Sequence, residues 1–296
     1  MPNSSRIPEA LAYVARRRGQ WDRSDSYFIE AELLDPRNVS ILTSHAHFYI
    51  ALRRFGEALR KVDQVLDITP DDVDTLALKA AVAQAQGDLP RAAALLAPLH
   101  GTADHSTVLE TQAYQAILER HPTQVIARLS EILATPDPSL QFVNGNLRFW
   151  LAWAQEVAGN TEAAQESWRK TRAELEFLRK EQPDNAGLIG DLALTNMALG
   201  NKDAALTLAQ EATVAVPIEK DALIGPFSLE VIARVAARFG DSDRAIVALQ
   251  KLLSTPYAGR LAENLPLTPA LLRLDPMFDS LRRDPRFKKL ANEANK

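Results

Sequence analysis

The residues that could do chemistry are few in this chain and do not converge on one pattern. His45 and His47 form the tightest histidine pair, but they lie two residues apart on a predicted helix and therefore point in different directions. The chain contains no cysteine, which removes thiolate ligands, cysteine nucleophiles and disulfides. Phosphate-loop, zinc-protease (His-Glu-x-x-His) and serine-hydrolase (Gly-x-Ser-x-Gly) motifs are missing as well. We therefore expect no catalytic site, no metal and no cofactor.

Composition and charge place the chain among ordinary globular proteins. It has 296 residues, 46% of them hydrophobic and 24% charged, with a net charge near -4. That balance argues against general nucleic-acid binding, which needs surplus positive charge. No secretory leader and no apolar run of about 18 residues is visible. We expect a soluble, cytoplasmic chain without membrane insertion.

One short phrase recurs along the chain and predicts the elements that position everything else. A glycine is followed, five residues later, by a small residue, which indicates the end of one helix, a tight turn and the start of the next helix. A sixth copy keeps the spacing but has Arg53 in the place of the glycine. The five glycine copies begin at Gly19, Gly87, Gly159, Gly200 and Gly240.

A second regularity lies before each turn, where an amphipathic helix carries an alanine at a fixed place. Ala12, Ala46 and Ala80 are spaced by 34 residues, and the spacing lengthens in the second half of the chain. Pro36 and Pro70, which follow the second helices, are also 34 residues apart. Because the residue before a proline avoids the helical region, both prolines are plausible helix stops.

These features resemble the tetratricopeptide repeat (TPR). In the second copy Leu42, Ala46 and Tyr49 match the first-helix positions of that signature, and Ala58 and Pro70 match the second helix. The resemblance covers residues 6–254. It implies an all-α fold, a right-handed superhelix of six to seven helix pairs. A coiled coil is the competing interpretation, but glycine and proline interrupt the chain too often for long heptads.

Two parts of the chain depart from the repeat. The fourth copy, at 105–138, has no glycine turn and is predicted to be degenerate. Residues 255–296 lack the repeat phrase and are predicted to form a helical C-terminal cap, with Thr268 capping a short helix and two Asp-Pro-x-Phe motifs after it. This tail resembles the ends of TPR regions in bacterial signalling proteins, although no residue of a kinase, DNA-binding or cyclase domain is present.

The resemblance implies that the first helices line a concave groove. Projection at helical spacing gives an apolar middle with basic groups toward both ends, which would suit a peptide with apolar anchors and acidic flanks. The alternative is that the aromatic pair at Phe149 and Trp153 belongs to the core. The predicted groove residues are Tyr13, Arg17, His47, Phe149, Trp153, Leu194, Met197, Arg234 and Arg238.

Two functions remain open. The first is a non-enzymatic scaffold that binds a protein or peptide partner, in a bacterial signalling or regulatory system. The second is a small-ligand or peptide-pheromone sensor whose superhelix closes around its ligand, for which an enclosed apolar cavity would be the marker. A co-chaperone that grips a C-terminal carboxylate is disfavoured, because the first three copies lack the required basic and amide residues.

Overall fold

Within residues 4–292 the chain folds into seven consecutive antiparallel helix pairs followed by a C-terminal segment. The computed structural model describes residues 4–292, and no β-strand occurs in that range. The pairs are α1 (Arg6–Arg17) with α2 (Trp21–Leu34), α3 (Val39–Ala51) with α4 (Phe55–Leu66), α5 (Val73–Gln86) with α6 (Leu89–Leu96), α7 (Ser106–Leu118) with α8 (Thr123–Ala134), α9 (Gln141–Val157) with α10 (Thr161–Glu181), α11 (Ala186–Ala198) with α12 (Lys202–Ala215), and α13 (Phe227–Arg238) with α14 (Ser242–Leu253). The prediction of an all-α solenoid of six to seven helix pairs is confirmed.

Small side chains allow the two helices of a pair to approach closely. In the first pair, the Ser24 hydroxyl on α2 donates a buried hydrogen bond of 2.9 Å to the Ala12 carbonyl oxygen on α1. In the second pair, Ala46 and Ala58 are both fully buried at the equivalent places. Close packing of this kind leaves the larger apolar side chains to fill the space between neighbouring pairs.

Every pair turns through one residue in the left-handed conformation. Gly87 has φ 82°, and a Cβ placed there would lie 3.0 Å from the Cβ of Ala270, so a side chain would be both strained and crowded. Two turns use arginine instead, Arg53 with φ 57° and Arg120 with φ 62°. Arg120 belongs to the fourth pair, which is a helical hairpin although its turn has no glycine.

The C-terminal segment contains two short helices, α15 (Pro269–Leu274) and α16 (Pro285–Asn292), and a 3-10 helix at Pro276–Leu281. The Leu271 N–H donates to the Thr268 hydroxyl oxygen over 3.1 Å, which is the predicted cap of α15. Helix α16 packs against α14 and α15. That part covers the last helix pair, as a cap would.

The rest of this segment, residues 255–281, runs across the inner face of the superhelix, and we call it the strap. The Tyr257 N–H donates to the Ala51 carbonyl at the end of α3 over 3.2 Å. Further along, the Thr268 hydroxyl donates to the Ala85 carbonyl near the end of α5 over 2.6 Å. The 3-10 helix then packs on α13. All of these partners are first helices, so the strap occupies the face that the sequence predicted to be an open groove.

The superhelix also closes on itself. The Ala222 N–H, in the connection between α12 and α13, donates to the Arg17 carbonyl over 2.7 Å. The Arg17 guanidinium lies 3.5 Å from the Asp221 carboxylate. The first helix pair therefore contacts the chain just before the last pair. None of the helices within residues 4–292 combines the length and the apolar character that crossing a bilayer requires.

Candidate functional site

Most of the predicted groove residues lie in the interior of the protein. The Phe149 ring packs edge to face on Trp168 of α10, with ring centroids 5.1 Å apart, and thus belongs to the contact between paired helices. Trp153 stacks on Trp150 at 5.5 Å and is 2% exposed. The buried members of the predicted set are Phe149, Trp153, Leu194, Met197 and Arg234. Burial leaves these side chains almost no surface for a partner, contrary to the expectation of an open groove.

Arg234 lies at the centre of a buried charge network. Its Nε and Nη2 donate to Oε1 of Glu230 over 3.1 and 2.9 Å, and its Nη1 donates to Oδ2 of Asp275 over 2.7 Å. The Tyr114 hydroxyl donates to the same Asp275 oxygen, and the Tyr257 hydroxyl donates to Glu230. Burial alone would lower the pKa of Arg234, but the two carboxylates raise it overall. The network fastens the strap to α7 and α13.

Three other predicted residues lie toward the first repeats. The Tyr13 hydroxyl donates to the Glu9 carboxylate over 2.6 Å and hydrogen bonds to the Ser44 hydroxyl. Arg17 is 62% exposed and takes part in closing the superhelix. His47 is partly buried, and desolvation followed by the charge of Arg16 lowers its pKa to about 4. His47 is therefore uncharged at neutral pH, so it adds no positive charge to the inner face.

The structure brings three members of the predicted set together around one pocket, which we call the tryptophan pocket. It has a volume of about 510 Å³ and lies where the C-terminal ends of α9, α11 and α13 meet the strap. Trp153, Met197 and Arg238 come from the predicted set. The other lining residues are Arg120, Glu156, Val157, Trp168, Ala198, Pro276, Met277, Asp279 and Ser280.

Two ion pairs stand beside the apolar floor of the tryptophan pocket. The guanidinium of Arg120 binds both oxygens of Asp279, over 2.9 and 2.8 Å. Arg238, which is 49% exposed, lies 2.7 Å from Oε1 of Glu156. Burial alone would raise the pKa of Asp279, but hydrogen bonds from Arg120 and Arg282 lower it overall. The rim therefore carries both charge signs, and its groups remain partly in contact with water.

Sequence reasoning missed the strap's share of this pocket. Pro276 and Met277 belong to the first Asp-Pro-x-Phe motif, which was visible in the sequence but was interpreted only as part of the C-terminal cap. Arg120 was visible as a residue of a turn without glycine. Nothing in its spacing places it beside Asp279, which lies 159 residues later.

The histidine pair makes no metal site. His45 is fully buried, with Nδ1 2.6 Å from Oε1 of Glu32 and Nε2 2.9 Å from Oδ1 of Asp25. Its ring stacks between Phe28 and Tyr49, at centroid distances of 4.8 and 4.3 Å. Across residues 4–292, no three histidine, aspartate or glutamate side chains are grouped so as to hold a metal ion. The cluster instead joins the first two helix pairs.

Solved structures similar to this chain are helical-repeat proteins. A tetratricopeptide repeat protein from Parabacteroides merdae has 15% identity and a TM-score of 0.49, over 86% of this chain and 93% of its own. PilW, a type IV pilus biogenesis factor, has 16% identity and a TM-score of 0.36, over 84% and 92%. Pseudomonas aeruginosa PilF has 12% identity and a TM-score of 0.35, over 84% and 90%. No protein-family model and no curated protein matches the sequence.

The repeat itself is defined by features that can be read from the chain's own coordinates. Each of the seven pairs turns through a left-handed residue. Buried small side chains face each other within the pairs, as Ala46 and Ala58 do. Successive pairs follow one another along the solenoid, with the first helix of each facing inward. The chain is thus an all-α solenoid of helix pairs whose sequence pattern resembles the tetratricopeptide repeat.

Proposed function

We propose that this protein is a non-catalytic interaction module that binds a peptide segment of a partner protein in the tryptophan pocket. The observation that supports the proposal is the combination of an apolar lining with the two ion pairs on the rim. The lining is partly exposed at Val157, Pro276 and Met277, and the buried Trp153, Trp168 and Met197 lie behind it. Its volume of about 510 Å³ lies within the usual range for ligand pockets.

The side chains that line the pocket favour an apolar anchor residue on the partner. The partly exposed Met277 adapts its shape to what it contacts, and the two buried tryptophans behind it give the lining a rigid base. The ion pairs of Arg120 and Arg238 are partly solvated, so either pair can exchange a hydrogen bond with a peptide backbone at small cost. A short apolar segment with polar backbone groups satisfies both parts of the pocket.

A place in a bacterial signalling or regulatory system is the finer part of this proposal. It is supported by the resemblance of the tail to the ends of repeat regions in bacterial signalling proteins. The two Asp-Pro-x-Phe motifs that carry this resemblance bury Phe278 and Phe287 against each other, with ring centroids 6.1 Å apart.

The sensor hypothesis has weaker support. It requires a superhelix that closes around an apolar cavity, and the contact between Arg17 and Asp221 does close the superhelix. The space inside the superhelix, however, is filled by the strap and by buried charged side chains such as Arg234 and Asp275. A ligand would have to displace residues that are already fully paired.

The test is a peptide selection followed by a matched pair of variants. Peptides selected by display on the wild-type protein are titrated against Met277→Glu, which places a charge on the pocket wall, and against Val247→Glu, which changes an exposed apolar residue on α14. We expect affinity to fall at least roughly tenfold in Met277→Glu, because a carboxylate then replaces an apolar contact. Val247→Glu should bind as the wild type does. Selected peptides that bind Met277→Glu and the wild type equally would refute the proposed site.

A further inference from the structure

A second pocket lies at the other end of the same helix pair. It has a volume of about 380 Å³ and is formed by the first half of α9, the second half of α10 and the connection that precedes α9. We call it the arginine pocket. Its lining residues are Pro136, Gln141, Asn144, Arg148, Ala173, Glu174, Phe177 and Leu178. The tryptophan pocket lies at the C-terminal end of α9, so the two pockets are separate.

Arg148 provides the positive charge in this pocket, beside the carboxylate of Glu174, and only one of its three guanidinium nitrogens is hydrogen bonded. Its Nε donates to both oxygens of Glu174, over 3.0 and 3.1 Å. The side chain is only 14% exposed. Its Nη1 and Nη2 nevertheless have no hydrogen-bond partner among residues 4–292. These two nitrogens are not sealed from solvent, so they can bind a further acceptor that enters the pocket.

Three other arginines of this chain bind two carboxylates each, whereas Arg179 and Arg260 bind one carboxylate each. Nε and Nη2 of Arg234 donate to the Glu230 carboxylate, and Nη1 donates to a second carboxylate, that of Asp275. Arg54 divides its nitrogens between two carboxylates in the same way. Arg286 does so as well. Arg148 has the first carboxylate of this arrangement, in Glu174, and lacks the second.

The remaining walls are apolar and include an exposed aromatic ring. Phe177 is 52% exposed, and Leu178 and Pro136 lie in the same lining. The Asn144 side chain donates its amide N–H to the Asp137 carbonyl over 2.8 Å, which leaves its own carbonyl oxygen to accept a hydrogen bond. A peptide supplies an N–H for that oxygen, whereas a free fatty acid does not.

We propose that the arginine pocket binds a peptide segment that carries an acidic side chain next to an aromatic or aliphatic one. The acidic side chain binds the terminal nitrogens of Arg148, the apolar side chain packs on Phe177 and Leu178, and a backbone N–H donates to Asn144. This site is independent of the tryptophan pocket and can exist whether or not that pocket binds a partner.

The test titrates 15N-labelled protein with the blocked peptide acetyl-Leu-Glu-Phe-amide and with its Gln counterpart. We expect the acidic peptide to shift the backbone amides of residues 141–148 and 173–178. The Gln peptide should bind roughly tenfold more weakly, since a neutral hydrogen bond replaces a charged one. Equal binding of the two peptides, or shifts confined to the tryptophan pocket, would overturn the proposal.

Three variants separate the contribution of charge from that of folding. Arg148→Gln should remove the preference for the acidic peptide. Glu174→Gln should increase affinity for the acidic peptide several-fold, because the guanidinium then loses its competing carboxylate. Arg169→Gln, an exposed arginine on α10, should leave both titrations unchanged. If Arg148→Gln fails to fold, Glu174→Gln still decides the matter, since unchanged or weaker binding there contradicts the proposal.

Discussion

Asp275 and Arg234 form an ion pair that excludes water almost completely, although 41 residues separate them in sequence. Nη1 of Arg234 lies 2.7 Å from Oδ2 of Asp275, and both side chains are at most 1% exposed. The pair joins the strap to the inner face of α13. Because this pair holds the strap on the inner face, that face is part of the protein core and does not form an open groove.

Asp275→Asn should therefore destabilise the protein strongly. We expect a loss of roughly 3 kcal/mol in the free energy of unfolding, at the lower end of the range for broken buried pairs because Glu230 still neutralises Arg234. Chemical denaturation measures this loss. The matched control is Asp279→Asn on the same strap, which is 47% exposed and should cost less than about 1 kcal/mol. Equal losses in the two variants would mean that the buried network does not hold the strap.

Arg53→Gly tests why an arginine occupies a left-handed turn position. Glycine would relieve strain of about 1–2 kcal/mol. The substitution would also remove three hydrogen bonds, from the Arg53 guanidinium to the carbonyls of Leu252, Thr255 and Leu267, at 2.9, 3.0 and 2.9 Å. We expect a net loss of at least about 2.5 kcal/mol, since each such bond to a charged group contributes about 1.5–3 kcal/mol and the relieved strain offsets only about 1–2 kcal/mol of their sum.

Arg120→Gly is the control for that measurement. Arg120 has the same backbone conformation, but its guanidinium is partly exposed, so the gain from relieved strain should nearly offset the loss of its contacts. If both variants were as stable as the wild type, the contacts of Arg53 would contribute no more than the strain that glycine relieves, about 1–2 kcal/mol.

Trp153→Ala should lower the free energy of unfolding by about 3–5 kcal/mol, because the side chain is almost fully buried. The sequence alone had suggested a groove residue, for which only a small shift in melting temperature would be expected. Phe142→Ala, at 54% exposure on the same helix, should cost less than about 0.5 kcal/mol. Thermal denaturation of the two variants measures the contrast.

Glu263→Gln should stabilise the protein increasingly as the pH rises. Burial, followed by the charges of Glu110 and Asp74, raises the pKa of Glu263 to about 8, and its Oε1 is buried without a partner among the described residues. A raised pKa in the folded state means that the wild type loses stability as the pH rises from the unfolded-state value toward 8.

Glutamine does not titrate, so the advantage of Glu263→Gln should be larger at pH 8 than at pH 6 by roughly 2 kcal/mol. Denaturation curves at the two pH values measure the difference, with the exposed Glu131→Gln as the control. A constant difference between the variant and the wild type would show that Glu263 titrates normally.

His47 should give the opposite dependence on pH. Its pKa is lowered to about 4, so the folded state resists protonation and stability falls as the pH drops from about 6.5 to 4. His47→Gln should remove up to roughly 3 kcal/mol of that acid sensitivity. The measurement is the pH profile of the free energy of unfolding. A variant as sensitive to acid as the wild type would contradict the burial argument for His47.

Local patterns were enough to predict the repeat. Ala46 and Ala58 are separated only by the end of one helix, a tight connection and the start of the next helix. Their spacing therefore depends on neighbouring residues alone. The cap of α15 by Thr268 could be predicted for the same reason. The sequence also put Arg53 in the glycine place of a turn, but the hydrogen bonds of its guanidinium to Leu252, Thr255 and Leu267 could not be predicted, because those residues lie far along the chain.

The sequence by itself therefore determined that this protein is a series of helix pairs, since the signals for that are local and repeated. Only the tertiary structure decided which of the predicted groove residues remain accessible to a partner. Phe149 is buried against Trp168 of its own helix pair, whereas the surroundings of Trp153 depend on where the strap lies. The strap is held by pairs such as Arg234 with Asp275, which the repeat spacing does not predict. Long-range pairing of buried charges leaves no trace in the spacing of residues, which is why the groove was predicted and the two pockets were not.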